Sequence, residues 1–265
     1  MEVKSADGVS IAYQVVGSGK PALLFVHGWC CDQSYWDAQV YHFAPQYKVV
    51  TIDLVGHGKS GMNRKTWTME AFSEDVVAVV KGLDLDQVVL IGHSMGGSVI
   101  AWAERRMPER VIGLVGIDTF ENVEQIYTQE QLDALLAPFQ ANFVEAMRAL
   151  VKSMFTPSSD PILVERVATN MSAAPPKVGL SVASTFLRPR LSLAQVFEEV
   201  QAPICCIASD RNTVNVEAAR RHASSFEVVY MSNIGHFVMI EDPNRFNRLL
   251  DEILKELISY QAEAT

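Results

Sequence analysis

The 265-residue sequence predicts an α/β protein in which a mostly parallel central sheet is flanked by helices and broken once by a helical insertion. Three observations carry this. Short runs of branched apolar residues alternate with stretches of helical period, as parallel strands joined by crossover helices require. The run Val88-Val89-Leu90-Ile91 suits a strand buried on both faces and passes through Gly92-His93-Ser94-Met95-Gly96-Gly97 directly toward a helix. From about residue 121 to 195 the alternation stops and only helices are legible.

Taken in order, Val9 to Val16 reads as a strand after the Asp7-Gly8 turn, and Pro21 to Val26 as a second after Gly17-Ser18-Gly19. An aromatic-rich stretch up to Phe43 suits the first helix, and Tyr47 to Leu54 a further buried strand. Thr68 is a good N-cap for a helix with Met69, Phe72, Val76, Val79 and Val80 on one face; Glu70 and Glu74 lie outward near its positive end. After the Ser94 turn, Ser98 to Met107 continues at helical period, Pro108 punctuates, and Val111 to Ile117 forms a strand ending at Asp118. The insertion opens with the capping box Thr128-Gln129-Glu130-Gln131; Pro138, Pro157, Pro161, Pro175-Pro176 and Pro189 divide it. Strand Ile204 to Ala208, helix Val216 to Ala223 and strand Glu227 to Met231 resume the rhythm. The last helix follows Asp242-Pro243, with Phe246, Leu249, Leu250, Ile253, Leu254 and Leu257 aligned. The expected division is a core of residues 1–120 and 196–265 under a cap, or lid, of residues 121–195.

Composition narrows the partners. A formal net charge of −9 and a pI near 5.2 argue against nucleic acid and anionic membranes, which reward clustered Lys and Arg, and leave small molecules. The cysteines, Cys30-Cys31 and Cys205-Cys206, match neither a zinc spacing nor a disulfide framework and read as buried thiols. No signal peptide and no membrane-spanning run are legible, so a cytoplasmic monomer or homodimer is expected.

The chemistry centres on Gly92-x-Ser94-x-Gly96. Glycines flank a serine on a tight strand-to-helix turn, where strand and helix backbones crowd past each other. A serine hydroxyl needs a base, an acid to orient that base, and donors for a developing oxyanion. His236, in the loop after the last strand, is the candidate base; His27, His57 and His93 sit inside glycine turns, and His42 and His222 lie on helices. The acid belongs at a strand end between Ser94 and His236. Asp118 and Asp210 both qualify, and Asp210 is favoured because its strand neighbours the one that leads to His236. The backbone N–H groups of Met95 and Trp29 are the expected oxyanion donors. No metal is required.

Together, His27-Gly28-Trp29, Asp53-x-x-Gly56-x-Gly58-x-Ser60, Gly92-His93-Ser94-Met95-Gly96 and Gly235-His236-Phe237 resemble the α/β-hydrolase superfamily, nearest its small cofactor-free serine carboxylesterases. The resemblance covers nearly all of the chain outside residues 121–195. It implies Ser94, Asp210 and His236 as the catalytic triad, with Trp29 and Met95 as the oxyanion hole, no cofactor, and a small-molecule ester as substrate. Many members carry a glycine two or three residues before the acid; this chain has Ile207-Ala208-Ser209, which keeps Asp118 in consideration. Trp29, Phe143, Met147 and Phe237 are the expected substrate contacts, Phe143 and Met147 as the acyl-pocket wall within an apolar lid face.

The expected activity is hydrolysis of carboxylic esters, lactones included. Alternatives are a carbon–carbon bond hydrolase or a perhydrolase on the same triad, and a ligand sensor of slow turnover. Gly56-His57-Gly58-Lys59-Ser60-Gly61 imitates a dinucleotide loop, but the next helix begins only near Thr68.

Overall fold

A computed structural model describes residues 1–188 and 191–264; Pro189 lies outside them. The strands are β1 (Glu2–Lys4), β2 (Ser10–Val16), β3 (Ala22–Val26), β4 (Lys48–Ile52), β5 (Val88–His93), β6 (Val111–Ile117), β7 (Ile204–Ser209) and β8 (Phe226–Met231). They form one sheet in the order β1-β2-β4-β3-β5-β6-β7-β8, antiparallel for β1 with β2 and β2 with β4, and parallel from β4 onward. Every residue of β3, β5 and β6 is buried, as expected of central parallel strands covered on both faces.

Two helical layers supply that cover. Phe72 and Val76 of α2 (Met69–Gly82), Val99 of α3 (Met95–Glu104), Phe197 of α8 (Leu193–Phe197) and Ala218 of α9 (Val216–His222) belong to one apolar cluster. Phe43 of α1 (Asp37–Phe43) and Phe246 and Leu250 of α11 (Pro243–Ala264) belong to the other. The aligned apolar face of α11 is buried from Phe246 to Leu257 while its remaining surface stays polar, the pattern of a helix lying on a sheet.

Between β6 and β7 the described residues form α4 (Gln129–Ala141), α5 (Phe143–Met154), α6 (Pro161–Ser172), α7 (Pro176–Phe186) and α8. Thr128 and Gln131 make both arms of the expected capping box, and Asp160 and Ser192 cap α6 and α8. Pro138 was expected to separate helices, yet it lies inside α4; Pro161 and Pro176 do open helices at the first position, where no N–H is missed. A second difference bears on the site. The helix after Ser94 begins at Met95, not Ser98, so the Met95 N–H sits at its unsatisfied N-terminal end.

The glycine loop that imitates a nucleotide site is filled from within. The Asp53 carboxylate accepts from the backbone N–H groups of Gln33 (2.8 Å) and Lys59 (2.9 Å) and from the Gln33 amide (2.8 Å). A Cβ on Gly58 would strike that carboxylate at 2.3 Å. Among the described residues, no helix is long and apolar enough to cross a membrane.

Candidate active site

Ser94 occupies the single residue between β5 and α3, with φ 52° and ψ −120°. That positive φ is costly for a side-chain-bearing residue, on the order of 1–3 kcal/mol, and must be imposed by its surroundings. The imposition is visible: a Cβ on Gly92 would lie 2.3 Å from the Gly96 carbonyl, and one on Gly96 would lie 2.6 Å from the Val26 carbonyl. Only glycines let β5, α3 and the end of β3 approach this closely. Ser94 N–H donates to Ile117 O (3.0 Å), and its carbonyl accepts from Thr119 Oγ1 (2.9 Å). The backbone is held and the side chain opens on the cavities above.

His236 lies in the loop between β8 and α10 (Val238–Glu241) and is 9% exposed. Its backbone N–H donates to Met154 O (2.8 Å), and its carbonyl accepts from His93 Nε2 (3.1 Å). The two imidazoles face each other with centroids 4.6 Å apart. Burial, then the neighbouring His236, holds His93 well below the ordinary histidine range, so His93 is a neutral donor packed beneath the second imidazole. Nδ1 of His236 donates to Asp118 Oδ2 at 2.6 Å; among the described residues Nε2 has no hydrogen-bond partner, and His236 and Ser94 line the same two cavities.

The acid that meets the histidine is therefore Asp118; Asp210, the favoured expectation, does not. Asp118 has no exposed surface, and its carboxylate also accepts from Ser209 N–H (2.6 Å) and from Asn212 Nδ2 (2.6 Å). Asp210 is exposed and accepts from Asn233 N–H at 3.2 and 3.3 Å, closing the turn at the start of the histidine loop. The reason lies in register. Ile117 of β6 pairs with Ile207 of β7, so Asp118 turns inward beside Ala208, whereas Asp210 lies beyond the last pair of β7 with β8 and meets backbone instead. Asn212, which sequence reasoning missed, stands where the β7 loop folds back, its N–H donating to Ser209 O (3.2 Å). The absence of a glycine in Ile207-Ala208-Ser209 was the one sequence feature that kept Asp118 in consideration.

Trp29 follows β3 through His27-Gly28, and a Cβ on Gly28 would stand 3.2 Å from the Ser94 Cβ, which puts this loop against the serine. His27 shapes it: Nδ1 donates to Gly28 O (2.8 Å) and Nε2 accepts from Leu54 N–H (3.0 Å), while burial keeps the ring's pKa low and the ring neutral. Among the described residues, no group accepts from the backbone N–H of Trp29 or Met95. The Trp29 indole donates to Gly179 O (3.0 Å), tying the insertion to the β3 loop.

Two cavities meet at Ser94 and His236. One of about 250 Å³ is lined by Trp29, Leu136, Phe139, Leu150 and Phe237 among others. Phe143 and Met147 do not line it, contrary to expectation. Both are buried in the second core cluster, Phe143 against Gly179 and edge-on to Trp29 at 6.4 Å. Leu150 and Met154 on the same helix reach the cavity instead. A second cavity of about 650 Å³ carries polar groups, Glu121, Gln125, Arg211 and Asn212 among them. Among the described residues, no group of three or more His, Cys, Asp or Glu side chains is placed to hold a metal ion.

A family model for the alpha/beta hydrolase fold matches residues 21–178, more than half of the chain. The chain belongs to the alpha/beta hydrolase fold family. A 3-oxoadipate enol-lactonase of Acinetobacter baylyi is 23% identical to this alpha/beta hydrolase over 265 residues, 95% of either chain. A bifunctional esterase/perhydrolase of Acinetobacter calcoaceticus is 37% identical over 108 residues, 40% of this chain and 39% of its own. Among solved structures, the N-acyl homoserine lactone degrading enzyme Est816 is 25% identical, with a TM-score of 0.83, covering 95% of this chain and 99% of its own.

Proposed function

We propose that this protein is a serine hydrolase that cleaves carboxylic esters or lactones of small, largely apolar substrates through an acyl-enzyme on Ser94. The observation that carries the reading is the 2.6 Å His236–Asp118 hydrogen bond beside Ser94 on its strained turn. Ser94 Oγ attacks the ester carbonyl while His236 Nε2 takes its proton; Asp118 holds the Nδ1 tautomer and stabilises the imidazolium. The carbonyl oxygen, now negative, is met by the N–H groups of Met95 and Trp29, each such donor lowering the barrier by about 3–4 kcal/mol in related chemistry. The tetrahedral species collapses as His236 returns the proton to the leaving alkoxide. Water, deprotonated by the same nitrogen, then releases the acid and restores Ser94.

Residues 121–195 act in this reading as a lid over a core of residues 1–120 and 196–265. Support comes from four ties: Met154 O to His236 N–H, Phe155 O to Arg211 (2.6 Å), Gly179 O to Trp29, and Asn170 Nδ2 to Asp32 (2.9 Å). Two relatives named for lactones and one named as an esterase support the ester and lactone class. The last is also named a perhydrolase, which favours one second reading, attack of hydrogen peroxide on the same acyl-enzyme. Steady-state hydrolysis of p-nitrophenyl esters of two to eight carbons tests the proposal. Repeated turnover by the wild type, abolished in Ser94→Ala, is expected. A single burst equal to the enzyme concentration would point to a sensor and sink it.

A further inference from the structure

The two cavities that meet at Ser94 differ in chemistry, and the difference specifies a substrate. The smaller is walled by aromatic and aliphatic side chains and lies with Gly28 and Trp29, on the oxyanion side of the serine. The larger lies with Asp118, Ser209 and Asn212, on the acid side of His236. Ser94 and His236 line both chambers, so the two portions of an ester divide between them; the alcohol portion is assigned to the larger, polar chamber and the acyl portion to the smaller, apolar one.

Arg211 is the one Lys or Arg among the described residues lining the larger chamber. Its Nη1 donates to Phe155 O at 2.6 Å, and among the described residues no carboxylate lies within ion-pair distance of it. Arg148, Arg220 and Arg221 elsewhere each sit against a glutamate at 2.6–2.8 Å. A guanidinium has five N–H donors in a fork that matches a carboxylate. The single bond to Phe155 leaves most of that fork unspent at the edge of the reaction chamber.

We propose that the substrate is an ester with a compact apolar acyl group and an alcohol portion bearing a carboxylate, which Arg211 recognises. The inference rests on the ester-hydrolase reading above and narrows its substrate, the apolar character being kept for the acyl portion alone. Glu121 lines the same chamber and opposes an anion, so the discrimination is a balance of two side chains.

Comparing 3-carboxyphenyl butyrate with phenyl butyrate tests this, because the butyryl group and the scissile bond are the same and the leaving group differs only by its carboxylate. The wild type is expected to favour the anionic ester in kcat/KM by about fivefold or more, the scale of one partly solvated ion pair. Arg211→Gln removes that preference by raising KM for the anionic ester more than for phenyl butyrate; Arg211→Lys, which keeps the charge and loses the fork, retains part of it. Glu121→Gln raises it. An equal loss on both esters in Arg211→Gln would make the arginine a structural tie to Phe155 and overturn the proposal, as would an unchanged preference or a wild type indifferent to the charge. A wild type that turns over neither ester removes the ester-hydrolase reading and this proposal together. Turnover of both with no dependence on Arg211 removes this proposal alone.

Discussion

Two loops at neighbouring strand ends each carry an aspartate, and they have opposite fates. After β6, Asp118 is fully buried, with φ 44°, and its carboxylate meets the ring of His236, an amide side chain and a backbone N–H. After β7, Asp210 is exposed and receives one long backbone contact on each oxygen. The β7 loop still supplies Ser209 N–H and Asn212 to hold the carboxylate of its neighbour, Asp118. Proximity to the histidine's strand is thus a poorer guide to the acid than the number of donors converging on it, since a buried carboxylate persists only where hydrogen bonds replace its lost hydration.

The most direct way to break this comparison is to remove each carboxylate's charge in turn. Asp118→Asn is expected to lower kcat by about 10²–10⁴-fold, through loss of the tautomer and of imidazolium stabilisation. Asp210→Asn should change it by less than about twofold. Reversed effects in the ester assay would return the role to Asp210.

A smaller effect sharpens it. Asn212→Ala deletes one of the three donors to Asp118 and should lower kcat by about tenfold with KM little changed, the scale of one hydrogen bond to a charged group. If KM alone moved, Asn212 would be a substrate contact in the polar chamber and not a support of the acid.

The helical insertion offers the same kind of test in apolar residues. Met147 is fully buried and away from the cavity, so Met147→Ala should cost about 2–5 kcal/mol of stability, read by denaturant unfolding. Phe139 is half-buried on the cavity wall, and Phe139→Ala should raise KM for butyryl esters several-fold at a smaller stability cost. Equal stability losses with unchanged KM would erase the distinction between packing and lining residues.

The gentlest probe is pH. Burial depresses His57 to about 3 from an ordinary 6.5, and His27 and His93 are lowered by the same cause. The unfolded chain then binds more protons than the native one between about pH 3 and 6.5, so their contribution is complete above 6.5 and is lost as pH falls. Asp75, raised by burial to about 6, acts in the opposite sense, because its unfolded carboxyl ionises first. Asp37, Glu104 and Glu121, also raised by burial, act with Asp75, and so does His222, raised by Glu124 and Glu198. The share of a buried imidazole is therefore read by comparison, the melting temperature of the wild type falling more from pH 7 to pH 5 than that of His57→Gln. An equal fall in the two proteins would mean that the His57 imidazole is not held neutral by the fold.

Local rules carried much of this protein. The alternation of apolar runs and helical periods announced the strands from β2 to β8. The glycines around Ser94 announced the turn because no other residue fits where two backbones nearly touch, and His236 followed from its place after the last strand. Thr68 and Thr128 announced their helices as caps, a device confined to four residues. What the sequence could not decide were choices between chemically equal candidates. Asp118 and Asp210 both follow parallel strands; Phe143, Met147, Leu150 and Met154 all lie on one amphipathic helix. Which aspartate turns inward depends on the register of β6 against β7, and which apolar side chain lines a cavity depends on how α5 rotates against α6 and the sheet. Those are long-range geometric facts, settled only when elements far apart in sequence pack together.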